Sequence, residues 1–244
     1  MTHVTEPTVL VVEHEPGAPA GWFGDELQRA GCRLDVRRPY AGGELPGPQE
    51  LTDVGGVLVL GGGMSSWDDV AAPWLPDTCA LVRDAEEAGV PVLGICLGHQ
   101  VAARALGGEA APNAAGTTLA VLPVGWSEGA AGDPLFAAAL DSRLAVHWNN
   151  DVVSVLPEGA RVLATSPDGA VQAARLGRNV WGVQFHPEAG AGIVERWARE
   201  DGEPYLAAGF DLEQYLSDVR RHEAELAASC AALAGAFLRL VEGR

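Results

Sequence analysis

The chain has 244 residues and no lysine; its 16 basic residues are all arginine and face 33 Asp plus Glu, for a formal charge of −17. This excludes Schiff-base catalysis, which needs a lysine amine, and the lysine-bearing phosphate loop of the Walker type. It also speaks against nucleic-acid binding, because the arginines are scattered, with Arg37–Arg38 and Arg220–Arg221 the densest pairs. The missing lysine, beside abundant Ala and Gly, reads most simply as codon bias in a GC-rich genome.

A hydrophobic content of 48% and a charged content of 20% are ordinary for a soluble domain. The length suits one large α/β domain or two small ones, able to bury roughly 70–75% of the extended surface. No apolar run reaches about 18 residues, so no membrane span is expected. Met1–Pro7 lacks a basic stretch followed by an apolar one and does not read as a signal peptide. The four cysteines (Cys32, Cys79, Cys96, Cys230) form no C-x-x-C pair, which suits a reducing cytoplasm.

Along the chain, Thr8–Val12 predicts a buried parallel strand. Trp22–Ala30 predicts a helix closed by Gly31. Arg33–Val36 is a second strand, and Tyr40–Pro48 is loop. Gly56–Leu60 is a third strand running into Gly61-Gly62-Gly63. Leu75–Glu87 has helical spacing and stops at Gly89. Val90–Gly94 is a fourth strand, and a helix over Gln100–Leu106 ends at Gly107-Gly108. The alternation predicts an α/β fold: an open, mostly parallel sheet with helices on both faces.

The middle changes character. Thr118–Pro123, Leu144–Trp148, Val152–Val155, Arg161–Ser166, Ala170–Arg175 and Asn179–Phe185 are short strand-like runs. Turn signals at Pro157-Glu158-Gly159 and Pro167-Asp168-Gly169 separate some of them. They predict antiparallel strands continuing the same domain. Over Asp211–Val241, apolar residues recur every seven positions (Leu212, Val219, Leu226, Leu233, Leu240), with Tyr215/Leu216, Cys230 and Phe237 beside them. This predicts one long helix with one apolar face, docked on the sheet or offered to a partner. No repeat or linker divides the chain, so residues 1–244 read as a single domain with a C-terminal helical extension from about residue 205.

Chemistry concentrates in Val90-Pro-Val-Leu-Gly94-Ile-Cys96-Leu-Gly98-His-Gln100. A strand ending in G-x-C-x-G before a helix has the logic of a nucleophile elbow, with sulfur in place of oxygen. The turn lifts Cys96 above the carboxyl end of the sheet. The helix N-terminus stabilises a thiolate there, and the Leu97 backbone N–H can point at a developing oxyanion. Cys32, Cys79 and Cys230 read as core or passive surface.

A thiolate enzyme needs a histidine, usually distant in sequence. Of the six, His3 and His14 lie near the N-terminus, His99 within the elbow, and His222 on the tail helix. His147 precedes Trp148-Asn149-Asn150-Asp151. His186 ends an apolar strand and is followed by Pro187-Glu188. On an extended backbone positions i and i+2 share a face, so Glu188 can orient the His186 imidazole.

These residues resemble a family. The chain is similar to the class I glutamine amidotransferases with a Cys-His-Glu triad, and most to free-standing members like the amidotransferase domain of GMP synthetase. The likeness runs over roughly residues 50–190, through Leu60-Gly-Gly-Gly-Met-Ser65, Pro91–Gln100, His147-Trp-Asn-Asn-Asp151 and Gly182-Val-Gln-Phe-His186-Pro-Glu188. It implies a flavodoxin-like fold of the class I type. It implies Cys96 as nucleophile, His186 as base and acid, and Glu188 as its orienter. Gly62 and Leu97 become the oxyanion-hole donors, and Gln100 a residue of the glutamine pocket. Asp151 is a candidate for the substrate ammonium.

Two positions depart from the family pattern. Gly63 replaces a usual proline, and Asn149-Asn150 replaces a usual His-Gly. A side chain at Asn150 bears on pocket shape and on φ, although Asn tolerates positive φ. The implied activity is hydrolysis of L-glutamine through a cysteinyl thioester, with ammonia passed to a separate acceptor enzyme and no cofactor or metal needed. A γ-glutamyl hydrolase or peptidase with the same triad, and a non-catalytic partner-binding member, are the alternatives.

Overall fold

The computed structural model describes residues 6–243; His3 and most of the Met1–Pro7 segment lie outside the described residues. The first half runs β1 (Thr8–Val12), α1 (Gly21–Arg29), β2 (Arg33–Arg37), β3 (Gly56–Val59), α2 (Leu75–Ala88), β4 (Val92–Ile95) and α3 (Leu97–Ala105). There follow β5 (Glu109–Pro112), β6 (Thr118–Pro123), β7 (Leu144–Asn149), β8 (Asp151–Val155), β9 (Arg161–Thr165), β10 (Val171–Arg175) and β11 (Val180–Val183). Helices α4 (Ala191–Glu200), α5 (Glu203–Ala207), α6 (Leu212–Arg221) and α7 (Glu223–Glu242) complete the described chain.

Seven strands form one sheet in the order β2-β1-β3-β4-β11-β10-β9. The first five are parallel; β10 and β9 add on antiparallel. Period-2 alternation sends Val9 and Val11 of β1 to one face and Leu10 and Val12 to the other. The first face packs on α1 and α7 through Phe23, Leu27, Leu233 and Phe237. The second packs on α2 and α3 through Leu75, Leu81, Val82 and Val101. The expected α/β fold with helices on both faces is the one observed.

Two expectations need correction. Of the six runs expected to be antiparallel, Val180–Val183 (β11) is a parallel strand of the main sheet; β9 and β10 add to that sheet antiparallel, and β5–β8 and β6–β7 form separate antiparallel ribbons. The tail is two helices, breaking at His222. The seven-residue row changes partners beyond that break, within α7: Leu212 and Val219 of α6 and Leu226 of α7 pack with Val146 of β7 and Trp197 of α4, whereas Leu233 joins the sheet core.

Among the described residues α7 is long and apolar enough to cross a membrane, by length and composition only. Its composition is that of a core helix, with Leu226, Cys230, Leu233, Phe237 and Val241 buried and alanine dominating the rest. The sequence also left β5, α4 and α5 unread. Glu-Ala-Ala-Pro carries no strand preference, and β5 exists because β8 pairs with it.

Topology places the site. β3, β4 and β11 are adjacent and parallel, with Gly94 opposite Gly182 and Ile95 opposite Val183. Their carboxyl ends therefore deliver Gly61–Gly63, Cys96 and His186 to one edge of the sheet.

The fold also buries neutral histidines. Burial lowers His14 to about 4, His99 to about 3 and His147 to about 4 (the last also repelled by His186). The unfolded chain takes up these protons near pH 6.5. Stability is therefore fully present above 6.5 and falls below it by about 1.4 kcal/mol per histidine per pH unit. Denaturant midpoints should drop steadily from pH 7 to pH 5, and His147→Gln should remove about a third of the slope. A flat profile over that range would contradict the assignment.

Candidate active site

Cys96 joins β4 to α3 with no intervening loop, closer than the sequence expectation of a helix from Gln100. Its backbone has φ 50° and ψ −106°, and among the described residues it is the only non-glycine with positive φ. Such a conformation costs on the order of 1–3 kcal/mol and persists only when its surroundings hold it. Here the Cys96 N–H donates to the Val183 carbonyl on β11 (2.8 Å), and its carbonyl accepts from the Gln100 N–H (3.2 Å). The flanking glycines supply space. A Cβ on Gly94 would stand 2.6 Å from the His99 nitrogen and overlap the Gly98 carbonyl, and one on Gly98 would overlap the Val59 carbonyl of β3. The spacing G-x-C-x-G thus encodes how closely α3 sits on two strands.

His186 lies just beyond β11, 5% exposed. Its Nδ1 is 2.7 Å from Glu188 Oε1, and Glu188 is 1% exposed. Its Nε2 faces the Trp148 carbonyl at 3.3 Å, and the Cys96 thiol donates to that same carbonyl at 3.9 Å. His186 thus meets the carboxylate two residues on and lies beside Cys96 of β4–α3. Burial alone would push the imidazole down. The Glu188 carboxylate and the Cys96 sulfur outweigh it, and His186 is held well above 6.5. An imidazolium can therefore persist beside the sulfur.

Gly62 and Leu97 flank the elbow. A Cβ on Gly62 would come within 2.9 Å of the Leu97 side chain and 2.8 Å of Met64 Sδ. Gly61, which the sequence did not single out, lets the loop after β3 reach the triad; a Cβ there would stand 3.2 Å from His186 Cε1.

The wall opposite is braced by amides. Gln100 Nε2 donates to the Asp151 carbonyl (2.9 Å) and to Gln184 Oε1 (3.3 Å), and Gln184 Nε2 donates to Cys96 Sγ (3.5 Å). Gln184 was not expected, although its place two residues before His186 put it on the same strand face. Asn150 does not use positive φ. Its side chain accepts from the Thr117 hydroxyl (2.6 Å) and donates to the Tyr205 hydroxyl (3.2 Å), tying α5 to the site. Asp151 lines the cavity.

The other candidates stand apart. His14 accepts from the Trp74 indole, and His222 lies at the α6–α7 junction beside Glu225. Burial pushes the Cys32, Cys79 and Cys230 thiols up. In front of Cys96 and His186 opens a cavity of about 740 Å³.

The family model "Glutamine amidotransferase class-I" matches residues 23–195. The chain belongs to the class I glutamine amidotransferases. This amidotransferase is similar to the glutamine-hydrolysing GMP synthase of Aeropyrum pernix, 32% identical over 77% of this chain and 35% of that protein. It is also similar to γ-glutamyl peptidase 5 of Arabidopsis thaliana, 29% identical over 60% of this chain and 58% of the peptidase. The chain thus spans about a third of the GMP synthase it matches. A glutamine amidotransferase structure from Thermotoga maritima has the same fold, with TM-score 0.85 at 24% identity over 98% of this chain and 99% of that one. One from Methylobacillus flagellatus has TM-score 0.82 at 25% identity, covering 97% and 96%.

The close approach at the elbow can be tested in the amidotransferase directly. Gly98→Ala should cost about 1–3 kcal/mol in denaturant unfolding, as overpacked sites do. It should also slow alkylation of Cys96 at least tenfold. Unchanged stability would mean that α3 is free to shift away from β3.

Proposed function

We propose that this amidotransferase hydrolyses the side-chain amide of L-glutamine through a thioester on Cys96, giving glutamate and ammonia. The observation that carries the reading is the buried line Cys96–His186–Glu188, with the His186 imidazolium favoured by the Glu188 carboxylate and the Cys96 sulfur on either side. Cys96 Sγ attacks the amide carbon. The Gly62 and Leu97 N–H groups receive the oxyanion. His186 gives its proton to the leaving nitrogen, then takes one from the water that cleaves the thioester. Glu188 holds the imidazole's orientation and charge. Gln100, Asn150 and Asp151 shape the wall that receives the amino-acid end of the substrate, Gln100 through its bracing of the Asp151 carbonyl. The ammonia goes to a separate synthetase, a reading supported by likeness to glutamine-hydrolysing GMP synthases. Residues 1–244 act as one amidotransferase unit in a reducing cytoplasm, where four unpaired, buried cysteines are at home.

Cys96→Ala should release no ammonia from glutamine above background, and a retained rate would overturn the mechanism. Glu188→Gln should lower kcat/KM by about 10²–10⁴-fold. With its countercharge gone, burial takes over and the imidazolium is lost at lower pH. The descending limb of the kcat/KM profile should therefore move toward acid; a limb that stays in place would remove Glu188 from this role.

A second reading, cleavage of larger γ-glutamyl amides, is favoured by the cavity. Its 740 Å³ lies within the roughly 300–1,000 Å³ that accommodates drug-sized ligands. Likeness to a γ-glutamyl peptidase supports it too.

A further inference from the structure

His186 fixes the direction in which a leaving amine departs, because it supplies the proton to that nitrogen. Beyond it stands Trp197 of α4, whose ring centroid is 4.7 Å from the imidazole. The Trp197 indole donates to the Gly17 carbonyl (2.8 Å), which holds α4 against the loop after β1. Glu200 and Asp201, at the end of α4, and Glu15, in that loop, line the same cavity. Tyr205 and Phe210 line it as well, with ring centroids 6.1 Å apart.

These carboxylates are close enough to repel one another. Glu15 is raised by burial and by Asp201 and Glu200, against a lowering hydrogen bond from the Gly63 N–H; Asp201 is raised by burial and Glu200. Glu200 pairs with the exposed Arg199 at 3.4 Å, and Arg196 points at the Pro16 carbonyl. Among the described residues no cation pairs with Glu15 or Asp201. The cavity also presents Asn149, only 5% exposed, whose Oδ1 is buried with no hydrogen-bond partner. An orphaned acceptor of this kind costs free energy until a donor fills it.

We propose that the cavity beyond His186 is a leaving-group subsite for an amine that carries a second positive charge, so that the preferred substrates are γ-glutamyl amides of diamines or polyamines. The proposal rests on the thioester reading above and names its substrate class. Carboxylates and aromatic faces together are the environment that holds an ammonium group. Neither feature serves ammonia release from glutamine, whose leaving group has no second charge. In the reaction Cys96 Sγ bonds to the γ-carbonyl carbon, the C–N bond breaks, and the amine leaves with the His186 proton. Water then gives one proton to His186 and its oxygen to the acyl carbon, and the C–S bond breaks to release glutamate and restore the thiolate–imidazolium pair.

The test is steady-state kcat/KM for γ-glutamyl-putrescine, for γ-glutamyl-pentylamide as its neutral isostere, and for glutamine. The expected result is about a tenfold or greater preference for putrescine over pentylamide, shrinking with added salt. Within Asp201→Asn and Glu15→Gln proteins, each folded by circular dichroism, that ratio should collapse toward one. A wild-type ratio near one, or a ratio that both variants retain, overturns the subsite. Cleavage of glutamine but of neither larger amide overturns it as well and leaves the thioester reading standing. Failure on all three substrates removes both.

Discussion

The structure turns on one strained residue. Cys96 holds a positive φ that its side chain disfavours, and it does so because β4, β11 and α3 leave its backbone nowhere else to go. The strain is the means by which a sulfur at the end of a fully buried strand is lifted into a cavity beside a helix N-terminus. Gly94 and Gly98 permit the approach, and Val59 and Val183 fix it from neighbouring strands. Elements far from the chemistry act through this point. The parallel order of β3, β4 and β11 determines which loops surround the sulfur.

Charge is handled in two ways. At His186 the Glu188 carboxylate and the neighbouring Cys96 sulfur outweigh burial and raise the imidazole. At His14 and His99 burial acts alone, at His147 it outweighs Asp168 and a backbone hydrogen bond, and all three are lowered. The same residue type is thus raised at one position and lowered at three others, and Glu188, two residues from His186, supplies much of the difference. His99 has a further structural tie, since Gly182 must lack a Cβ to make room for its ring.

Local features were legible in the sequence. The glycine spacing around Cys96 and the i, i+2 pair of His186 and Glu188 depend on a few consecutive residues and on strand geometry. Boundaries of β1 and β6 coincide with their apolar runs. What escaped depended on distant partners. β5 exists through β8, and the point where the apolar row passes from one packing surface to the other is set by the elements that cover α6 and α7. Gln100 was legible as a residue of the pocket wall, but its bonds to the Asp151 carbonyl and Gln184 were not.

The absence of lysine excluded Schiff-base chemistry, and the elbow spacing singled out Cys96 among the four cysteines; both are properties of composition and short-range sterics. Tertiary structure decided the rest. It placed the Trp148 carbonyl within reach of both Cys96 and His186, from a ribbon strand outside the main sheet. It brought Glu15 beside Asp201, so that part of a net charge of −17 became a local field facing the cavity. Periodicity reports which face of an element is buried, but it carries no record of which distant element covers that face.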